Sequence, residues 1–309
     1  MKILIVSPVS DHAVAALGKK HEVVSAFNAP QEEIKRQIVD CDVLVFRSGP
    51  DINADIMQCS SRLSLLIRAG SGLDNLDLNY VKNRKIALRR IEAPGARAVA
   101  ELSFALMLSL ARQILRADTL LKQGHWAKHE LTGLLLFGKT LGIYGAGNIG
   151  ATVGQMGAAW GMNVIGCVEA PTTSREQELA SVGIRLTNAE DVLSKSDFLS
   201  LHVPMKPSTQ GLIGKDALAL MKSTAFITNL ARGGVVDEQA LLEALQNERL
   251  AGAGMDVHEL EGEGHISPLA SLPNVILTPH IGSGTIDTQY SIGEEVIAIV
   301  DAHDASCGN

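Results

Sequence analysis

The segment that most constrains the fold is a short apolar run that ends in three spaced glycines. Residues 140–144 read Thr-Leu-Gly-Ile-Tyr, and Gly145, Gly147 and Gly150 follow in the spacing G-x-G-x-x-G. A small-residue segment typical of a helix comes next, so the glycines lie between a predicted strand and a predicted helix. In this context the first glycine permits a tight turn, the second lets a phosphate approach the backbone, and the third lets the helix pack on its strand. The segment therefore predicts a dinucleotide-binding turn, with the phosphates at the helix N-terminus.

Apolar runs of strand length alternate with helix-like segments on both sides of this turn. Before the turn, five strands are predicted, at residues 3–6, 22–26, 43–47, 65–69 and 86–88. From the turn onward, seven strands are predicted, at residues 140–144, 163–167, 184–186, 198–203, 225–229, 251–255 and 275–277. Alternation of this kind predicts parallel sheets with helices on both faces. The expected fold class is α/β, with two doubly wound parallel-sheet domains, a flavodoxin-like first domain and a Rossmann nucleotide-binding second domain.

A long apolar helix is predicted between the two series, over residues 98–122, after a chain break at Pro94-Gly95. Residues 98–121 of this helix contain four charged residues, which indicate a core helix rather than a membrane span. Its apolar surface is larger than one amphipathic face needs, and Trp126 follows it. The second apolar face either contacts another subunit or packs within its own chain.

The last predicted helix, over residues 288–303, is amphipathic, and it has no place in a complete nucleotide-binding fold. We expect it to pack on the first series of strands, which makes the first domain discontinuous. The predicted domains are residues 1–96 with 286–309, for the substrate, and residues 97–285, for the nucleotide.

Composition excludes several classes of function. The 309 residues carry a formal net charge of −7, which argues against a nucleic-acid partner. The four cysteines contain no C-x-x-C pair and indicate reduced thiols in a cytoplasmic protein. The N-terminal apolar run is too short for a signal peptide, and no membrane partner is expected. The histidines lack the spacing of metal ligands, so no metal site is predicted; His258 and His265 are interpreted as structural or solvated.

Three later strand ends carry a side chain suited to acid–base or anion chemistry. Arg232 lies at the first of these strand ends, where its guanidinium could hold a carboxylate or lie exposed before a helix. Glu261 lies in the loop after the next strand, where a carboxylate can also be simply solvated. His280 follows a strand and precedes a glycine loop, and an imidazole suits proton transfer near neutral pH. Ligands of such folds bind at the carboxyl ends of the strands, so these three residues are candidates for one site.

These motifs, in this order, resemble the D-isomer-specific 2-hydroxyacid dehydrogenase family, over about residues 43–284. The resemblance implies that Arg232 binds the substrate, that Glu261 supports the general acid–base, and that His280 is that acid–base. It implies that the loop beginning at Arg68 receives the substrate carboxylate and that Asp256 contacts the nicotinamide carboxamide. The predicted cofactor-binding residues are Gly145, Gly147, Asn148, Ile149, Gly150, Glu169, His202, Val203, Pro204, Thr209, Leu230, Ala231, Asp256, His280 and Gly282. The predicted substrate-binding residues are Arg47, Ser48, Arg68, Gly70, Ser71, Gly72 and Arg232.

The end of the second nucleotide-domain strand departs from the family pattern. The acidic residue that binds the adenosine ribose is expected at residue 168, where this chain has Val168, and Glu169 comes next. Glu169 can still reach the ribose hydroxyls and would repel a 2′-phosphate, which favours NAD, whereas Arg175 favours NADP. NAD is the predicted cofactor, and NADP stays open. Asn148 replaces a basic residue of many relatives, which removes one cationic contact to the pyrophosphate.

Two arginines at strand ends of the first domain bear on the substrate. Arg47 and Arg68 suit an anionic group beyond the carboxylate, or else Arg68 supports its own loop and Arg47 pairs with an acid. The sequence is similar to the 3-phosphoglycerate dehydrogenase branch, which implies D-3-phosphoglycerate as an anionic 2-hydroxy acid substrate, a place in serine biosynthesis and a homodimer. The alternatives are a glyoxylate or hydroxypyruvate reductase and, in another class, an NAD(H)-sensing binding protein related to corepressors.

Overall fold

The chain divides into two compact units in the computed structural model, which describes residues 1–47, 49–70 and 72–307. One unit comprises Met1–Gly95 and Ser283–Asn309, and the other comprises Ala96–Gly282. The predicted boundaries lay after residues 96 and 285. The first unit is thus discontinuous in sequence, and the second is continuous.

The first unit contains a five-stranded parallel sheet. Its strands are β1 (Lys2–Ile5), β2 (Glu22–Ser25), β3 (Val43–Phe46), β4 (Leu65–Arg68) and β5 (Ala87–Arg90), in the order β2-β1-β3-β4-β5. The connecting helices are α1 (Asp11–Leu17), α2 (Gln31–Gln37), α3 (Ala54–Met57) and α4 (Leu78–Asn83). The central strands β3 and β4 are buried throughout, which is why they are continuous apolar runs rather than alternating ones. This strand order is the flavodoxin-like one.

The predicted single helix over residues 98–122 is wrong, because the structure has two helices there. They are α5 (Ala93–Ala111) and α6 (Ile114–Lys122), with axes bent by 60°, and Gln113 between them has a left-handed φ of 52°. The predicted break at Pro94-Gly95 is also wrong, since both residues lie in the first turn of α5, where proline sacrifices no intrahelical hydrogen bond. Among the described residues no single helix is long and apolar enough to cross a membrane; α5 and α6 reach that length and composition only when taken together.

The second unit contains a seven-stranded parallel sheet. Its strands are β6 (Thr140–Tyr144), β7 (Asn163–Cys167), β8 (Ile184–Leu186), β9 (Phe198–Leu201), β10 (Phe226–Asn229), β11 (Gly252–Met255) and β12 (Val275–Leu277), in the order β12-β11-β10-β9-β6-β7-β8. The connecting helices are α7 (Asn148–Ala159), α8 (Thr173–Ser181), α9 (Ala189–Lys195), α10 (Lys215–Leu220) and α11 (Glu238–Gln246). The order reverses between β6 and β9, as in a Rossmann fold. The predicted fold class, two parallel α/β sheets, is confirmed.

The final helix, α12 (Ile286–Cys307), packs on the first unit. Ile292, Val296 and Val300 are buried in the same cluster as Ile3 and Val43 of the first sheet. Burial of apolar side chains of this size contributes about 1.5–3 kcal/mol each. The apolar stripe of the last helix therefore stabilises the first sheet, although the nucleotide unit separates the two in sequence.

Candidate active site

The glycine turn after β6 has the geometry that its spacing predicts. Gly145 has a φ of 94°, and a Cβ atom there would lie 2.7 Å from the carbonyl oxygen of His202. A Cβ on Gly150 would collide with the carbonyl oxygen of Gly145, so α7 packs against the turn only because this residue is glycine. In contrast, a Cβ on Gly147 would meet nothing within 4 Å. The space in front of Gly147 and the free N–H groups at the start of α7, at Asn148 and Ile149, fit a pyrophosphate.

A neutral imidazole lies directly beside this turn. Burial lowers the pKa of His202 from 6.5 to about 3. Its Nε2 lies 2.8 Å from the Ser200 hydroxyl, which also accepts a hydrogen bond from the Thr228 hydroxyl at 3.2 Å. Its Nδ1 is buried and has no hydrogen-bond partner among the described residues. The ring therefore presents polarity without charge next to the predicted dinucleotide site.

The segment after His202 closes a tight turn. The Thr209 hydroxyl donates to the carbonyl of Pro204 at 2.7 Å and accepts from the backbone N–H of Lys206 at 2.8 Å. A Cβ on Gly145 would lie 2.8 Å from a methyl group of Val203. The predicted adenine-side segment thus contacts the glycine turn.

The strand end expected to bind the adenosine ribose carries a network of charges. Val168 is packed against the core, and the exposed Glu169 carboxylate lies 2.7 Å from the Lys206 ammonium. The Arg175 guanidinium donates to the carbonyl of Ala146, inside the glycine turn, at 2.6 Å. It also pairs with a carboxylate of its own helix at 2.6 Å. Both signs of charge therefore surround this end of the sheet.

A carboxylate and an imidazole meet at the other half of the same sheet. The Nδ1 atom of His280 lies 2.9 Å from a carboxylate oxygen of Glu261. Burial alone would raise the pKa of Glu261, but the His280 hydrogen bond and its charge, with the backbone N–H of His258, lower it. A carboxylate in this position stabilises the protonated ring and orients it. Since Nδ1 is engaged, Nε2 is the ring atom left for a substrate.

Asp256 anchors the loop that carries this imidazole. Its buried carboxylate accepts hydrogen bonds from the Thr278 hydroxyl at 2.6 Å, from the Ile281 N–H at 2.9 Å and from the Gly282 N–H at 2.8 Å. His280 itself has a left-handed φ of 53°. Such a conformation costs about 1–3 kcal/mol in a residue other than glycine and persists only where neighbours enforce it. Asp256 is one of those neighbours, and its nicotinamide contact stays a prediction.

The loop that carries Arg232 is organised by a buried asparagine. The Asn229 side chain donates to the carbonyl of Arg232 at 3.0 Å and accepts from the N–H of Ala231 at 3.0 Å. Leu230 and Ala231 are buried, whereas Arg232 is half-buried and its Nη1 donates to the carbonyl of Ala231 at 2.7 Å. The loop thus has a defined backbone that presents the guanidinium at the end of β10.

Sheet topology brings the three predicted residues to one edge. β10, β11 and β12 are parallel neighbours, so the loops that carry Arg232, Glu261 and His280 leave the sheet at the same side. The first two loops touch, because a Cβ on Gly233 would collide with the carbonyl oxygen of His258. Residues that are far apart in sequence are thereby assembled at the carboxyl ends of three adjacent strands.

The arginines of the first unit are held by their own loops. Arg68 is 4% exposed, and its Nε donates to the carbonyl of Gly72 at 2.7 Å, while a Cβ on Gly70 would lie 2.6 Å from its Nη1. Arg68 therefore supports the glycine loop. Arg47 donates to the Ser283 hydroxyl at 2.8 Å, and burial lowers the pKa of its guanidinium. The predicted substrate residues Ser48 and Ser71 lie outside the described residues.

His258, interpreted from the sequence as structural or solvated, is enclosed in the structure rather than solvated. The side chain is 15% exposed, its Nε2 lies 3.0 Å from the carbonyl of Thr278, and its Nδ1 lies 3.9 Å from the Glu238 carboxylate. The available signal was its position, directly after β11 and three residues before Glu261. His265, by contrast, is exposed.

Comparison with protein families gives one match that covers more than half of the chain. Residues 104–282 match a family model described as D-isomer specific 2-hydroxyacid dehydrogenase, NAD binding domain. This range contains the glycine turn, Arg232, Glu261 and His280.

Individual relatives carry several enzyme names. A D-3-phosphoglycerate dehydrogenase of Methanocaldococcus jannaschii is 40% identical over 296 residues, which are 95% of this chain and 55% of that relative. The chain thus spans about half the length of that protein. A hydroxypyruvate reductase of Thermotoga maritima is 37% identical over 300 residues, 96% of each chain. Among solved structures, a D-lactate dehydrogenase of Aquifex aeolicus complexed with NAD and lactic acid aligns with a TM-score of 0.84 and 28% identity, over 99% of this chain and 96% of that one.

Proposed function

Because the chain belongs to the D-isomer specific 2-hydroxyacid dehydrogenase family, we propose that it interconverts a D-2-hydroxy acid and the corresponding 2-keto acid, with NAD as the cofactor. The observation that carries this proposal is the contact of 2.9 Å between Glu261 and His280, at the sheet edge shared with Arg232. The reaction needs a group that moves a proton, and the bound nicotinamide supplies the hydride donor or acceptor.

Each of the three side chains has a distinct task. The Nε2 atom of His280 gives a proton to the ketone oxygen in reduction and takes it from the hydroxyl in oxidation, which is worth on the order of 10²–10⁴ in rate. Glu261 stabilises the protonated ring through Nδ1. Arg232 holds the substrate carboxylate and polarises the carbonyl by paired N–H donors. The chain thus supplies proton transfer, orientation and charge stabilisation.

D-3-phosphoglycerate is the substrate we favour. Arg47 is a half-buried guanidinium at the end of β3, and its paired N–H donors match the geometry of a phosphate. A relative of 40% identity bears the name of an enzyme for this substrate. The involvement of Arg68 in its own loop assigns it to loop support and leaves Arg47 as the cation that would bind phosphate.

Hydroxypyruvate or glyoxylate reduction is the second candidate. The relative named hydroxypyruvate reductase matches over 96% of its own length, whereas the phosphoglycerate dehydrogenase extends well beyond the match. A smaller substrate without phosphate would also place no demand on Arg47. The two candidates therefore differ in whether this guanidinium matters for turnover.

A screen of 2-keto acids separates these functions. Purified protein is assayed with NADH and NADPH on 3-phosphohydroxypyruvate, hydroxypyruvate, glyoxylate and pyruvate, and each active substrate is repeated with Arg47→Met. If D-3-phosphoglycerate is the substrate, the wild-type protein has its highest kcat/KM on 3-phosphohydroxypyruvate. The kcat/KM for that substrate then falls strongly in Arg47→Met. Equal kcat/KM values for the wild-type protein and Arg47→Met favour hydroxypyruvate or glyoxylate as the substrate. Tight NADH binding without turnover of any substrate would favour the NAD(H)-sensing alternative.

We also propose that two copies of the chain associate through α6 and the segment that follows. No residue of α6 is buried, and this part of the chain exposes large apolar side chains: Leu115 at 55%, Leu121 at 58%, Trp126 at 74%, Leu135 at 68% and Phe137 at 74%. Apolar surface of this extent favours association. Light scattering at low protein concentration tests the proposal, since a stable monomer contradicts it.

A further inference from the structure

One residue outside the assigned set contacts all three loops at the reacting edge of the sheet. His258 follows β11, and its backbone N–H donates to a Glu261 carboxylate oxygen at 3.2 Å. Its ring Nε2 lies 3.0 Å from the carbonyl of Thr278, two residues before His280. Its own carbonyl oxygen occupies the space in which a Cβ on Gly233 would stand. His258 therefore lies between the loops after β10, β11 and β12.

The contact with Thr278 supports a strained residue. The carbonyl of Thr278 also accepts the backbone N–H of His280 at 3.1 Å, so the imidazole of His258 and the backbone of His280 converge on one oxygen atom. The left-handed conformation of His280 is unfavourable and needs such contacts. Loss of the ring contact would release one of the bonds that keep the His280 loop in place.

The hydrogen-bonding chemistry defines how the ring is held. A carbonyl oxygen can only accept, so Nε2 of His258 carries the hydrogen. Nδ1 then faces the Glu238 carboxylate at 3.9 Å, and it is buried without a hydrogen-bond partner in the described part of the chain. Glu238 is itself 4% exposed and accepts from the N–H of Glu259 at 2.9 Å and from the Ser267 hydroxyl at 3.1 Å. The buried carboxylate of Glu238 on α11 thus holds the loop that carries His258 by hydrogen bonds, on the Nδ1 side of the ring.

The link to Glu261 completes the arrangement. One oxygen of the Glu261 carboxylate accepts the N–H of His258, and the other lies 2.9 Å from Nδ1 of His280. The carboxylate therefore bridges the backbone of His258 to the acid–base ring. Displacement of His258 would move both ends of this bridge.

We propose that His258 is a positioning residue that keeps the Glu261–His280 pair and the Arg232 loop in their reactive arrangement. This role rests on the proposed dehydrogenase function, because positioning matters only for a reaction that these side chains perform. His258 acts through its contacts and needs no contact with substrate. Misplacement of reacting groups by about 1 Å can cost on the order of 100-fold in rate.

The test compares three variants with the wild-type protein in steady-state kinetics as a function of pH. His258→Phe keeps a flat ring and removes the Nε2 donor, whereas His258→Gln keeps a donor at a similar reach. His265→Phe is the matched control, an exposed histidine on the same loop. We expect His258→Phe to lower kcat about 10- to 100-fold, with NADH affinity within about threefold of wild type. We expect His258→Gln to recover most of the loss and the control to stay at the wild-type rate.

The pH profile separates positioning from a general loss of structure. The titratable and charged groups on the elements around His258 are Glu238 on α11, Glu259 and Glu261 on its own loop, Asp256 at the end of β11, His280 after β12 and Arg232 after β10. A looser Glu261–His280 contact weakens the support of the acid–base ring, so the pH dependence of kcat in His258→Phe should differ from that of the wild-type protein, whereas a general loss of structure lowers kcat equally at every pH. Wild-type kcat and an unchanged profile in His258→Phe would overturn the proposal.

A measurement on the wild-type protein keeps the proposal independent of turnover. ¹⁵N spectra of histidine-labelled protein report which ring nitrogen carries the hydrogen, and the variants assign the signals. We expect the Nε2–H form for His258, and an Nδ1–H form would overturn the proposal. Absence of turnover in wild-type protein, with the Nε2–H form present, would count against the dehydrogenase function and leave the His258 contacts as described.

Discussion

The two halves of the seven-stranded sheet use the same side chain in opposite ways. Next to the glycine turn, His202 is partly buried and bonded to a hydroxyl, and burial lowers its pKa from 6.5 to about 3. At the β11–β12 edge, His280 is half-buried and lies 2.9 Å from a carboxylate. The first ring is therefore neutral, as suits a cofactor neighbour, and the second can carry a proton, as suits an acid–base. Environment, more than residue type, therefore assigns the role of an imidazole.

The largest loss of activity is expected from substitution of His280, the imidazole at the β11–β12 edge. His280→Gln is expected to lower kcat about 10²–10⁴-fold, because it removes the acid–base, while NADH affinity stays near that of wild type. Steady-state kinetics and NADH fluorescence titration measure the two quantities, with His265→Gln as the control. Undiminished turnover in His280→Gln would remove this residue from the mechanism.

The next effect concerns the glycines of the nucleotide half. Gly150→Ala places a methyl group against the Gly145 carbonyl oxygen, so we expect a loss of about 2–3 kcal/mol in unfolding free energy. Gly147→Ala meets open space and should leave the unfolding free energy unchanged, yet weaken NADH binding, because the added methyl group faces the predicted pyrophosphate. Denaturant unfolding measures the unfolding free energy of each variant, and NADH titration measures its affinity for the cofactor. Equal unfolding free energies for both variants would contradict the close packing at Gly150.

The neutral ring of His202 should make the unfolding free energy depend on pH. The folded-state pKa of His202 is about 3 and its ordinary value is 6.5, so between these values the unfolded chain binds a proton that the folded chain does not. Stability contributed by the neutral ring is therefore present above pH 6.5 and is lost as the pH falls toward 3. We expect the unfolding free energy of wild type to fall by about 1–3 kcal/mol more than that of His202→Asn between pH 6.5 and pH 4. Parallel curves for the two proteins would mean that His202 is not held neutral.

The smallest effect is expected at the ribose end. Glu169→Gln removes the carboxylate and leaves Lys206 and Arg175, so preference should move toward NADPH. The exposed position limits the change in the ratio of kcat/KM values to about two- to fivefold. Glu176→Gln, which changes an exposed carboxylate in the first turn of α8, is the control. A ratio identical to that of wild type would show that Glu169 does not read the ribose.

Local pattern was sufficient for much of the architecture. The twelve strands of the described residues, the glycine turn at 145–150 and the two parallel sheets were all predictable, because a buried parallel strand is a continuous apolar run and the turn needs glycine at fixed spacing. The helix break at Gln113 was not, because a residue other than glycine adopts a left-handed conformation there only through contacts with the rest of the fold.

Local sequence places Arg232, Glu261 and His280 at strand ends, because strand composition is a local property. The contact of Glu261 with His280, the support that Arg68 gives its own loop and the enclosure of His258 follow from the fold instead. A side chain's partners depend on which loops the sheet order brings to the same edge.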